Sequence, residues 1–315
     1  MKDLLGREID YLRLSVTDRC NLRCTYCMPA EGVELVRHAD LLGFEEISRV
    51  CGILTGSFGI TKIRITGGEP LLRKGLPELV GMIRGFAPRE LVLTTNGILL
   101  PRYADDLACA GLQRVNISLD SLRDGVLASI CRARVTVGMI EEAVEAARSS
   151  GLEPVRVNVV LIPGVNEGEI VDFVIWGNDV GAEVRFIEMM PGAGGGPGAI
   201  EKVRRAASVL GPVVELPGAP GDIQASFGVE GTGFGFGVIA PLSDPGFCGK
   251  CRRIRMTSTG DLVSCLGSGK AFPLRDLLRS GAPDREISEV VRSAVESKPA
   301  GHSGCDGIRM WRTGG

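Results

Sequence analysis

Six segments of the chain have the apolar, β-branched character of strands, and amphipathic stretches lie between them. The stretches "FEEISRVCGILTGSFG" and "GMIEEAVEAARSSG" carry apolar residues at helical spacing and end in glycine, as helices often do. Strands that alternate with helices predict βαβ units and a parallel sheet, so the fold class is α/β. Periodicity alone leaves open whether the six units form an open doubly wound sheet or a partly closed barrel. The predicted strands are "YLRLSVT" (11–17), "KIRITGG" (62–68), "ELVLTTNG" (90–97), "RVNISLD" (114–120), "PVRVNVVLIPG" (154–164) and "EVRFIEMM" (183–190).

Polar motifs fall at or just past the carboxyl end of each predicted strand. They are a cysteine loop (17–29), "GGEP" (67–70), "TTNG" (94–97), "SLD" (118–120), "PGVN" (163–166) and "IEMM" (187–190). In both architectures this edge of the sheet is where ligands bind. Any one motif could be a turn, but six of them on one edge predict an active site there.

The pattern changes after Met190. The run "PGAGGGPGA" (191–199) predicts a loop or linker, and the segments beyond it are less regular. A last helix is predicted over roughly 285–297, before a glycine-rich tail that ends in "WRTGG". We therefore predict a larger domain over residues 1–200 and a smaller one over 201–315.

Composition indicates an ordinary globular protein. Apolar residues make up 44% of the 315 residues and charged residues 23%, and the net charge is −2 with a pI near 5.9. This balance gives no sign of bulk attraction to nucleic acid or to anionic lipid. No apolar run reaches the ~18 residues of a membrane span, and the first residues lack a signal-peptide pattern. The sequence predicts a cytoplasmic protein with no nucleic-acid or membrane partner.

The ten cysteines are unevenly distributed. In a reducing compartment they are poor candidates for disulfides. Cys51 and Cys109 lie in helix-like segments, where we expect small buried apolar residues, and we assign no role to Cys131 or Cys305. Because there are only two histidines, His38 and His302, histidine chemistry is not the main theme. The other six cysteines form two groups of three: Cys20, Cys24 and Cys27, and Cys248, Cys251 and Cys265.

The first group has the spacing C-x3-C-x2-C. A structural zinc site usually closes with four ligands, and apart from His38, eleven residues beyond Cys27, no candidate fourth ligand lies nearby. Thiolates are soft ligands that suit iron–sulfur clusters. A four-iron cluster held by three cysteines leaves one iron open to bind another molecule.

The segment "CNLRCTYC", with an aromatic residue before its last cysteine, resembles the signature of the radical S-adenosylmethionine (SAM) enzymes, and "GGEP" resembles their next landmark. The resemblance implies that the open iron binds the amino and carboxylate groups of SAM. An electron from the cluster then cleaves SAM into methionine and a 5′-deoxyadenosyl radical. The glycines allow close backbone approach, and Glu69 is the kind of acceptor that an ammonium group needs.

The second group has the spacing C-x2-C-x13-C. The segment "CRRIRM" places Arg253 and Arg255 two residues apart, on one face of an extended chain. Guanidinium groups bind phosphate well, so these arginines are candidates for a phosphate contact. The alternative is a zinc ribbon short of one ligand, with both arginines on a solvated surface.

Motifs along nearly the whole chain occur in a fixed order. They are "YLRLSVTDRCNLRCTYCMP", "KIRITGGEPLLR", "TTNG", "NISLDSL", "VNVVLIPGVN", "RFIEMM", "FCGKCRRIRMTSTGDLVSCL", "KPAGH" and a terminal Gly-Gly. In this order they resemble the GTP 3′,8-cyclase family, radical SAM lyases that open molybdenum cofactor biosynthesis. The resemblance implies conversion of GTP to (8S)-3′,8-cyclo-7,8-dihydroguanosine 5′-triphosphate. It also implies an incomplete (β/α)6 TIM-like barrel, with a smaller C-terminal domain that carries a second cluster.

The resemblance also assigns residues. It implies two [4Fe–4S] clusters, one on Cys20, Cys24 and Cys27 and one on Cys248, Cys251 and Cys265. The positions that match SAM contacts are Tyr26, Gly68, Glu69, Ser118 and Met190. Those that match GTP contacts are Arg13, Arg64, Thr95, Arg156, Arg253 and Arg255. The tail residues Gly314 and Gly315 match residues that the family inserts towards the substrate. Arg156 stands where the family usually has lysine, which keeps the charge and changes the geometry.

The implied partners are GTP, a reducing protein such as flavodoxin or ferredoxin, and cyclic pyranopterin monophosphate synthase, which receives the product. A homodimer is left open. The alternative enzyme is a radical SAM peptide-modifying protein with an auxiliary cluster, although an arginine pair between cluster ligands is not expected there. A non-catalytic iron–sulfur or zinc module is the alternative from another class.

Overall fold

The computed structural model describes residues 1–190, 194–218, 222–267 and 269–301. Within these residues, no helix is both long and apolar enough to cross a membrane. The described residues form a single sheet of twelve strands. The strands are β1 (Tyr11–Ser15), β2 (Lys62–Thr66), β3 (Glu90–Thr95), β4 (Arg114–Ser118), β5 (Arg156–Leu161), β6 (Glu183–Glu188), β7 (Val213–Leu216), β8 (Gln224–Val229), β9 (Gly235–Ile239), β10 (Arg253–Met256), β11 (Asp261–Val263) and β12 (Ala271–Pro273).

Helices follow most of the first six strands, as the sequence predicts. The α-helices of the described residues are α1 (Phe44–Phe58), α2 (Leu76–Arg84), α3 (Ala104–Cys109), α4 (Asp124–Cys131), α5 (Val137–Ser149), α6 (Ile170–Val180), α7 (Ala199–Ala207), α8 (Arg275–Arg279) and α9 (Asp284–Glu296). All six predicted barrel strands are confirmed, and five of them begin at the predicted residue. Each ends earlier than predicted, because the polar residues at its carboxyl end belong to the following loop.

The helix α1 illustrates how the local sequence sets these boundaries. The helix begins at Phe44. The N–H of Gly43, the residue before it, donates to the side chain of Glu46 at 2.6 Å. Its carboxyl end stops at Gly59, whose φ of 69° lies in the left-handed region that favours glycine. The buried side of the helix, which includes Val50 and Leu54, packs into the core.

Strand order decides between the two architectures that periodicity left open. The sheet order is β12-β11-β10-β1-β2-β3-β4-β5-β6-β9-β8-β7, and β1 to β6 are parallel neighbours in chain order. A doubly wound sheet would instead reverse its progression at a switch point. The fold is therefore an incomplete barrel, a curled half-barrel sheet with the helices outside.

The two faces of the barrel strands differ in chemistry. In β1, Leu12 and Leu14 are fully buried in the apolar core beneath the helices, whereas Arg13 lies between them on the opposite face. The same alternation holds in β2, where Ile63 and Ile65 flank Arg64. Burying a Leu or Ile side chain is worth about 1.5–3 kcal/mol, so the apolar face holds the strands in place. The polar face is thereby left to line the hollow of the barrel.

The C-terminal strands do not form a sheet of their own. Strand β10 pairs in parallel with β1, and β9 pairs in parallel with β6, so both edges of the half-barrel are extended. The helix α7 crosses the predicted domain boundary and packs against α6 and β6. The division into 1–200 and 201–315 stays a prediction, but the two parts share one sheet.

Two predictions about isolated cysteines have different outcomes. Cys51 is buried in α1, as expected. The prediction for Cys109 is wrong, because this residue is exposed at the carboxyl end of the short helix α3. Only Ala104 and Leu107 of α3 are buried, so the helix turns its last residue to solvent.

We expect Phe186→Ala to lower the free energy of unfolding by about 3–5 kcal/mol, since the change opens a large cavity. Phe186 is fully buried in β6, and its ring makes edge contacts with Phe173 of α6 at 6.3 Å and Phe236 of β9 at 6.2 Å. It therefore joins the barrel to the C-terminal strands. The measurement is urea unfolding followed by circular dichroism. Phe86→Ala is the control, because Phe86 is 40% exposed and should lose well under half as much; equal losses would contradict the prediction.

Candidate active site

A first cavity of about 220 Å³ lies at the carboxyl ends of β1 to β4. The cysteine loop that follows β1 and the "GGEP" turn that follows β2 both contribute to its wall. It brings together the three cysteines of the first group and all five predicted SAM positions: Cys20, Cys24, Cys27, Tyr26, Gly68, Glu69, Ser118 and Met190. The sequence motifs at this edge of the sheet are thus collected into one space.

The two glycines of "GGEP" are needed for contact with the cysteine loop. The N–H of Gly68 donates to the carbonyl oxygen of Thr17 at 2.7 Å, and the N–H of Glu69 donates to that of Arg19 at 2.7 Å. A Cβ at Gly68 would lie 2.4 Å from the Arg19 carbonyl oxygen, and one at Gly67 would lie 2.7 Å from that of Thr17. Neither position accommodates a side chain, so the glycines fix the cysteine loop against β2.

Glu69 is buried and holds the next turn of the sheet edge. Its carboxylate accepts from the hydroxyl of Thr95 at 2.7 Å, the N–H of Asn96 at 2.7 Å and the N–H of Leu71 at 3.1 Å. Burial raises the pKa of Glu69 to about 7 despite these bonds. Thr95, which the resemblance assigned to GTP, therefore lies in the first cavity, bonded to a predicted SAM residue.

Asp120 anchors the aromatic residue of the cysteine motif. One carboxylate oxygen accepts from the hydroxyl of Tyr26 at 2.8 Å, and the other accepts from the N–H of Val160 at 2.8 Å. Burial raises the pKa of Asp120 to about 6. Sequence reasoning missed this role, because the contact joins residues far apart in the chain. The "SLD" motif was its only local signal.

Cys131 was assigned no role, and the structure places it beside the first group. Its carbonyl oxygen accepts from the N–H of Arg23 at 3.0 Å, its side chain is buried, and it lines the first cavity. A hydrogen bond between the side chains of Cys131 and Cys24 raises the pKa of Cys24 well above its usual value. Nothing in the spacing of the motif signals a fourth thiol from α4.

The thiols of the first group are the type of ligand that iron–sulfur clusters take. Burial raises the pKa of Cys20 to about 11 and of Cys27 to about 12, so these thiols need a cationic partner to ionise. An iron–sulfur cluster would supply that partner, and Cys20, Cys24 and Cys27 are the residues that would hold it.

A second cavity of about 630 Å³ occupies the hollow of the half-barrel, and we call it the arginine cavity. It reaches the first residues of the strands, at the opposite edge from the predicted motifs. Four acidic side chains line it: Asp10, Glu90, Glu188 and Asp222. Eleven basic side chains line it as well: Arg13, Lys62, Arg64, Arg89, Arg114, Arg156, Arg185, Arg252, Arg253, Arg255 and Lys298. Five of the six predicted GTP residues are among them, and Thr95 is the exception.

Strand register places the cations side by side. Arg13 of β1 is level with Arg64 of β2 and with Arg255 of β10. All three are buried, and burial lowers the pKa of each to about 10. Burial works to raise the pKa of Tyr11, but neighbouring cations, chiefly Arg64 and Arg13, lower it to about 8. The cavity therefore has a positive field that an anionic ligand would relieve.

Acidic residues at the amino ends of the strands form ion pairs with some of these cations. Glu90 pairs with Lys62 at 3.0 Å and with Arg114 at 2.6 Å. Burial works to raise the pKa of Glu90, but these two pairs lower it to about 2. Arg156 donates through Nε to Glu183 at 2.5 Å. Because this bond uses Nε, the two terminal nitrogens of Arg156 remain for the cavity that it lines.

The second cysteine group faces the arginine cavity. Cys248 and Cys251 precede β10, Cys265 follows β11, and all three line the cavity beside Arg253 and Arg255. Burial works to raise the pKa of Cys251, but the nearby positive charges, Arg253 first, lower it to about 6. The zinc-ribbon alternative placed the arginines on a solvated surface. Arg255 is only 7% exposed, so that placement is wrong for this residue.

The two cavities adjoin within the barrel. Four residues line both of them: Asn158, Ile187, Glu188 and Met190. The two cysteine groups thus lie at separate ends of one joined space. A molecule in either cavity would therefore lie beside Asn158 of β5 and the carboxyl end of β6.

Four residues named from the sequence are not described by the structure, and several basic residues of the arginine cavity were not predicted. Gly314 and Gly315, together with Cys305 and His302, lie outside the described residues. The basic residues of the arginine cavity that sequence reasoning missed are Lys62, Arg89, Arg114, Arg185, Arg252 and Lys298. The alternating pattern of β6 could have indicated Arg185, because it stands between Val184 and Phe186 as Arg64 stands between Ile63 and Ile65.

Comparison with known proteins gives matches over nearly the whole chain. A family described as the radical SAM superfamily matches residues 14–176, and one described as Molybdenum Cofactor Synthesis C matches residues 182–304. A GTP 3′,8-cyclase of Geobacter sulfurreducens is 45% identical over 312 residues, which cover 95% of this chain and 93% of that protein. A GTP 3′,8-cyclase of Thermodesulfovibrio yellowstonii is 42% identical over 319 residues, 96% of each chain.

A solved structure supports the fold alone. The crystal structure of Streptococcus suis SuiB bound to S-adenosylmethionine aligns with a TM-score of 0.62 at 14% identity. The alignment covers 91% of this chain and 68% of that one. At this identity the likeness extends to the barrel and carries no argument about substrate.

We expect Gly68→Ala to prevent loading of the first cysteine group, because the added Cβ would meet the Arg19 carbonyl oxygen at 2.4 Å and displace the cysteine loop. Iron and sulfide analysis after anaerobic reconstitution should show about half of the wild-type content. Gly56→Ala in α1 is the matched control, since a Cβ there meets nothing within 4 Å. Full iron content in the Gly68→Ala protein would show that the loop does not depend on this contact.

Proposed function

The chain belongs to the GTP 3′,8-cyclase family of the radical SAM superfamily, and we propose that it converts GTP to 3′,8-cyclo-7,8-dihydro-GTP in molybdenum cofactor biosynthesis. The observation that carries the proposal is the joined space with one cysteine group in each part and eleven basic side chains around the larger part. Such a space suits a polyanionic nucleotide beside a SAM-binding cluster.

The cofactors are SAM and two [4Fe–4S] clusters. We assign the first cluster to Cys20, Cys24 and Cys27, and the second to Cys248, Cys251 and Cys265. When bound, the first cluster supplies the electron for cleaving SAM into methionine and a 5′-deoxyadenosyl radical. The protein binds and orients the two substrates and keeps water away from them.

The first cavity is our proposed SAM site. Gly68 keeps the backbone of "GGEP" close to the cysteine loop, and Glu69 is the acceptor for the SAM ammonium. Its carboxylate has about four lone-pair positions. Protein donors account for three bonds, so room remains for one more. Tyr26, Ser118 and Met190 supply further walls of the same cavity.

The arginine cavity is our proposed GTP site. A triphosphate needs several cations in a partly dry space, and the level row of Arg255, Arg13 and Arg64 provides adjacent guanidinium groups. Arg156 and Arg253 line the same cavity at the first residues of β5 and β10. Thr95 lies in the first cavity, so its proposed contact with GTP would come from the SAM side.

The alternatives have less support. A peptide-modifying radical SAM enzyme has no need of a buried row of arginines beside the second cysteine group. The likeness to SuiB shows only the shared fold, whereas the cyclases match at 40–45% identity. A non-catalytic module would not require a cavity at the first cysteine group that joins an anion site.

Further partners follow from the chemistry. The clusters need a supply of electrons, for which we propose a small reducing protein of the flavodoxin or ferredoxin type. The product passes to cyclic pyranopterin monophosphate synthase. We place the enzyme in the cytoplasm, since the cysteines of the described residues are all free thiols and a reducing compartment preserves them.

The test is anaerobic incubation of reconstituted protein with SAM, dithionite and each nucleoside triphosphate in turn. Of the nucleoside triphosphates, only GTP should be converted to a new product. This product is an isomer of GTP, separated from it by chromatography and identified by mass spectrometry. With GTP deuterated at C3′, the 5′-deoxyadenosine should carry the deuterium, because that position loses its hydrogen to the radical. The protein with Cys20, Cys24 and Cys27 all replaced by alanine is the control and should give neither product. Deuterium-free 5′-deoxyadenosine would refute the proposed hydrogen abstraction.

We expect Arg255→Ala and Arg253→Ala to weaken GTP binding about tenfold or more, because a buried charge-assisted contact is worth roughly 1.5–3 kcal/mol. Both cysteine groups should still load fully with iron. Titration calorimetry with GTP under nitrogen measures the change. Arg285→Ala is the control, since the Arg285 side chain in α9 is 81% exposed. Wild-type affinity in both variants would return these arginines to a structural role.

A further inference from the structure

Lys298 is a buried lysine just beyond the end of α9, and it faces the second cysteine group. It is 6% exposed and lines the arginine cavity together with Cys251 and Cys265. A lysine is rarely buried so fully unless its ammonium group has partners. The identity of these partners indicates what the residue does.

The ammonium group bridges two segments that carry cysteines. Nζ of Lys298 donates to the carbonyl oxygen of Arg253 at 2.7 Å and to that of Ser264 at 2.7 Å. Arg253 follows Cys251 by two residues, and Ser264 directly precedes Cys265. Each of these two bonds is made to a backbone oxygen within two residues of a cysteine of the second group.

The backbone around Lys298 is held by a second buried cation. Arg7 donates to the carbonyl oxygens of Lys298 at 3.2 Å and Pro299 at 2.8 Å. It also donates to the carbonyl oxygen of Cys248 at 3.0 Å. Arg7 is fixed in turn by Asp3 at 2.6 Å, with both side chains buried. Through these bonds the three cysteine segments and the end of α9 form one hydrogen-bonded frame.

The charge at this position distinguishes the two cysteine groups. Lys298 and Arg253 line the arginine cavity beside Cys251 and Cys265, whereas no lysine or arginine of the described residues lines the first cavity, where Cys20 lies. A positive charge next to a cluster stabilises the form with one more electron, because that form is more negative.

We propose that Lys298 is a positioning residue for the second cluster, which fixes the spacing of the Cys251 and Cys265 segments and raises the reduction potential of the cluster they hold. The inference deepens the proposed function and rests on its second cluster. The role is played through the cysteines and requires no contact between Lys298 and GTP.

The test compares Lys298→Met, Lys298→Arg and wild type after anaerobic reconstitution. The midpoint potential of the second cluster is followed by electron paramagnetic resonance in the holoenzyme. The same titration in full-length protein with alanine at positions 20, 24 and 27 isolates the signal of the second cluster. The rate of iron loss to a chelator reports on the frame. Lys250→Met is the matched control, because this lysine adjoins Cys251 but its side chain is 51% exposed.

Lys298→Met should shift the midpoint to a more negative value and lose iron from the second site several-fold faster. Lys298→Arg should keep the midpoint potential near the wild-type value, because it keeps the positive charge. Lys250→Met should leave both the potential and the rate of iron loss near wild type. Failure of Lys298→Met to load the second site, with the first site intact, would support the frame. If that variant is insoluble, Lys298→Gln provides the same test, since it can donate hydrogen bonds without the charge.

A wild-type potential and rate of iron loss in the neutral variant would overturn the inference. An equal shift in Lys250→Met would also overturn it, because any nearby charge would then suffice. If wild-type protein binds iron only at the first site, the two-cluster assignment fails, and with it the inference. That outcome is distinct from an unchanged potential in a protein that holds both clusters.

Discussion

The burial of many positive charges inside one sheet is the constraint on which the rest of the structure depends. Desolvation of a guanidinium group is costly, and adjacent guanidinium groups repel one another. The protein offsets part of this cost with neutral and acidic partners. Arg185, for example, donates to the side-chain oxygens of Asn116 at 3.0 Å and Asn158 at 2.7 Å. The ring of Tyr11 lies beneath the charges of Lys62 and Arg64, at 5.1 and 5.5 Å. An anion bound in the cavity would compensate the remaining positive field, so the cost of burying these charges favours anion binding.

The same electrostatics separate the two cysteine groups. Two carboxyl groups, those of Glu69 and Asp120, line the cavity of the first group. Cations surround the second group. A negative environment favours the oxidised form of a cluster and makes its reduced form a stronger electron donor. The two cysteine groups therefore lie in opposite electrostatic environments, which would give a cluster at each of them a different reduction potential.

Sequence reasoning predicted the parts of this structure that local patterns encode. The six barrel strands, the helices between them and the cysteine motif all depend on residues close together in the chain. It could not predict contacts that depend on the curl of the sheet. Cys131, Lys298 and Arg7 act through partners more than thirty residues away, and no local signal marks them. The error at Cys109 has the opposite cause: apolar neighbours in the sequence suggested burial, but a helix of six residues has only one buried side.

The pairing of β10 with β1 and of β9 with β6 explains why the two parts of the chain act as one unit. A half-barrel that ended near residue 200 would leave the N–H and C=O groups of β1 and β6 unpaired at its two edges. It would also lack Arg253 and Arg255, which complete the arginine cavity on the β1 side. Arg7, which precedes β1, donates to the carbonyl oxygen of Cys248, 241 positions later in the sequence. The segment before the first barrel strand therefore helps to hold the second cysteine group. The residues that surround the nucleotide-sized cavity are therefore complete only when the C-terminal strands have joined the sheet. A boundary drawn on sequence similarity divides a site that the fold treats as one.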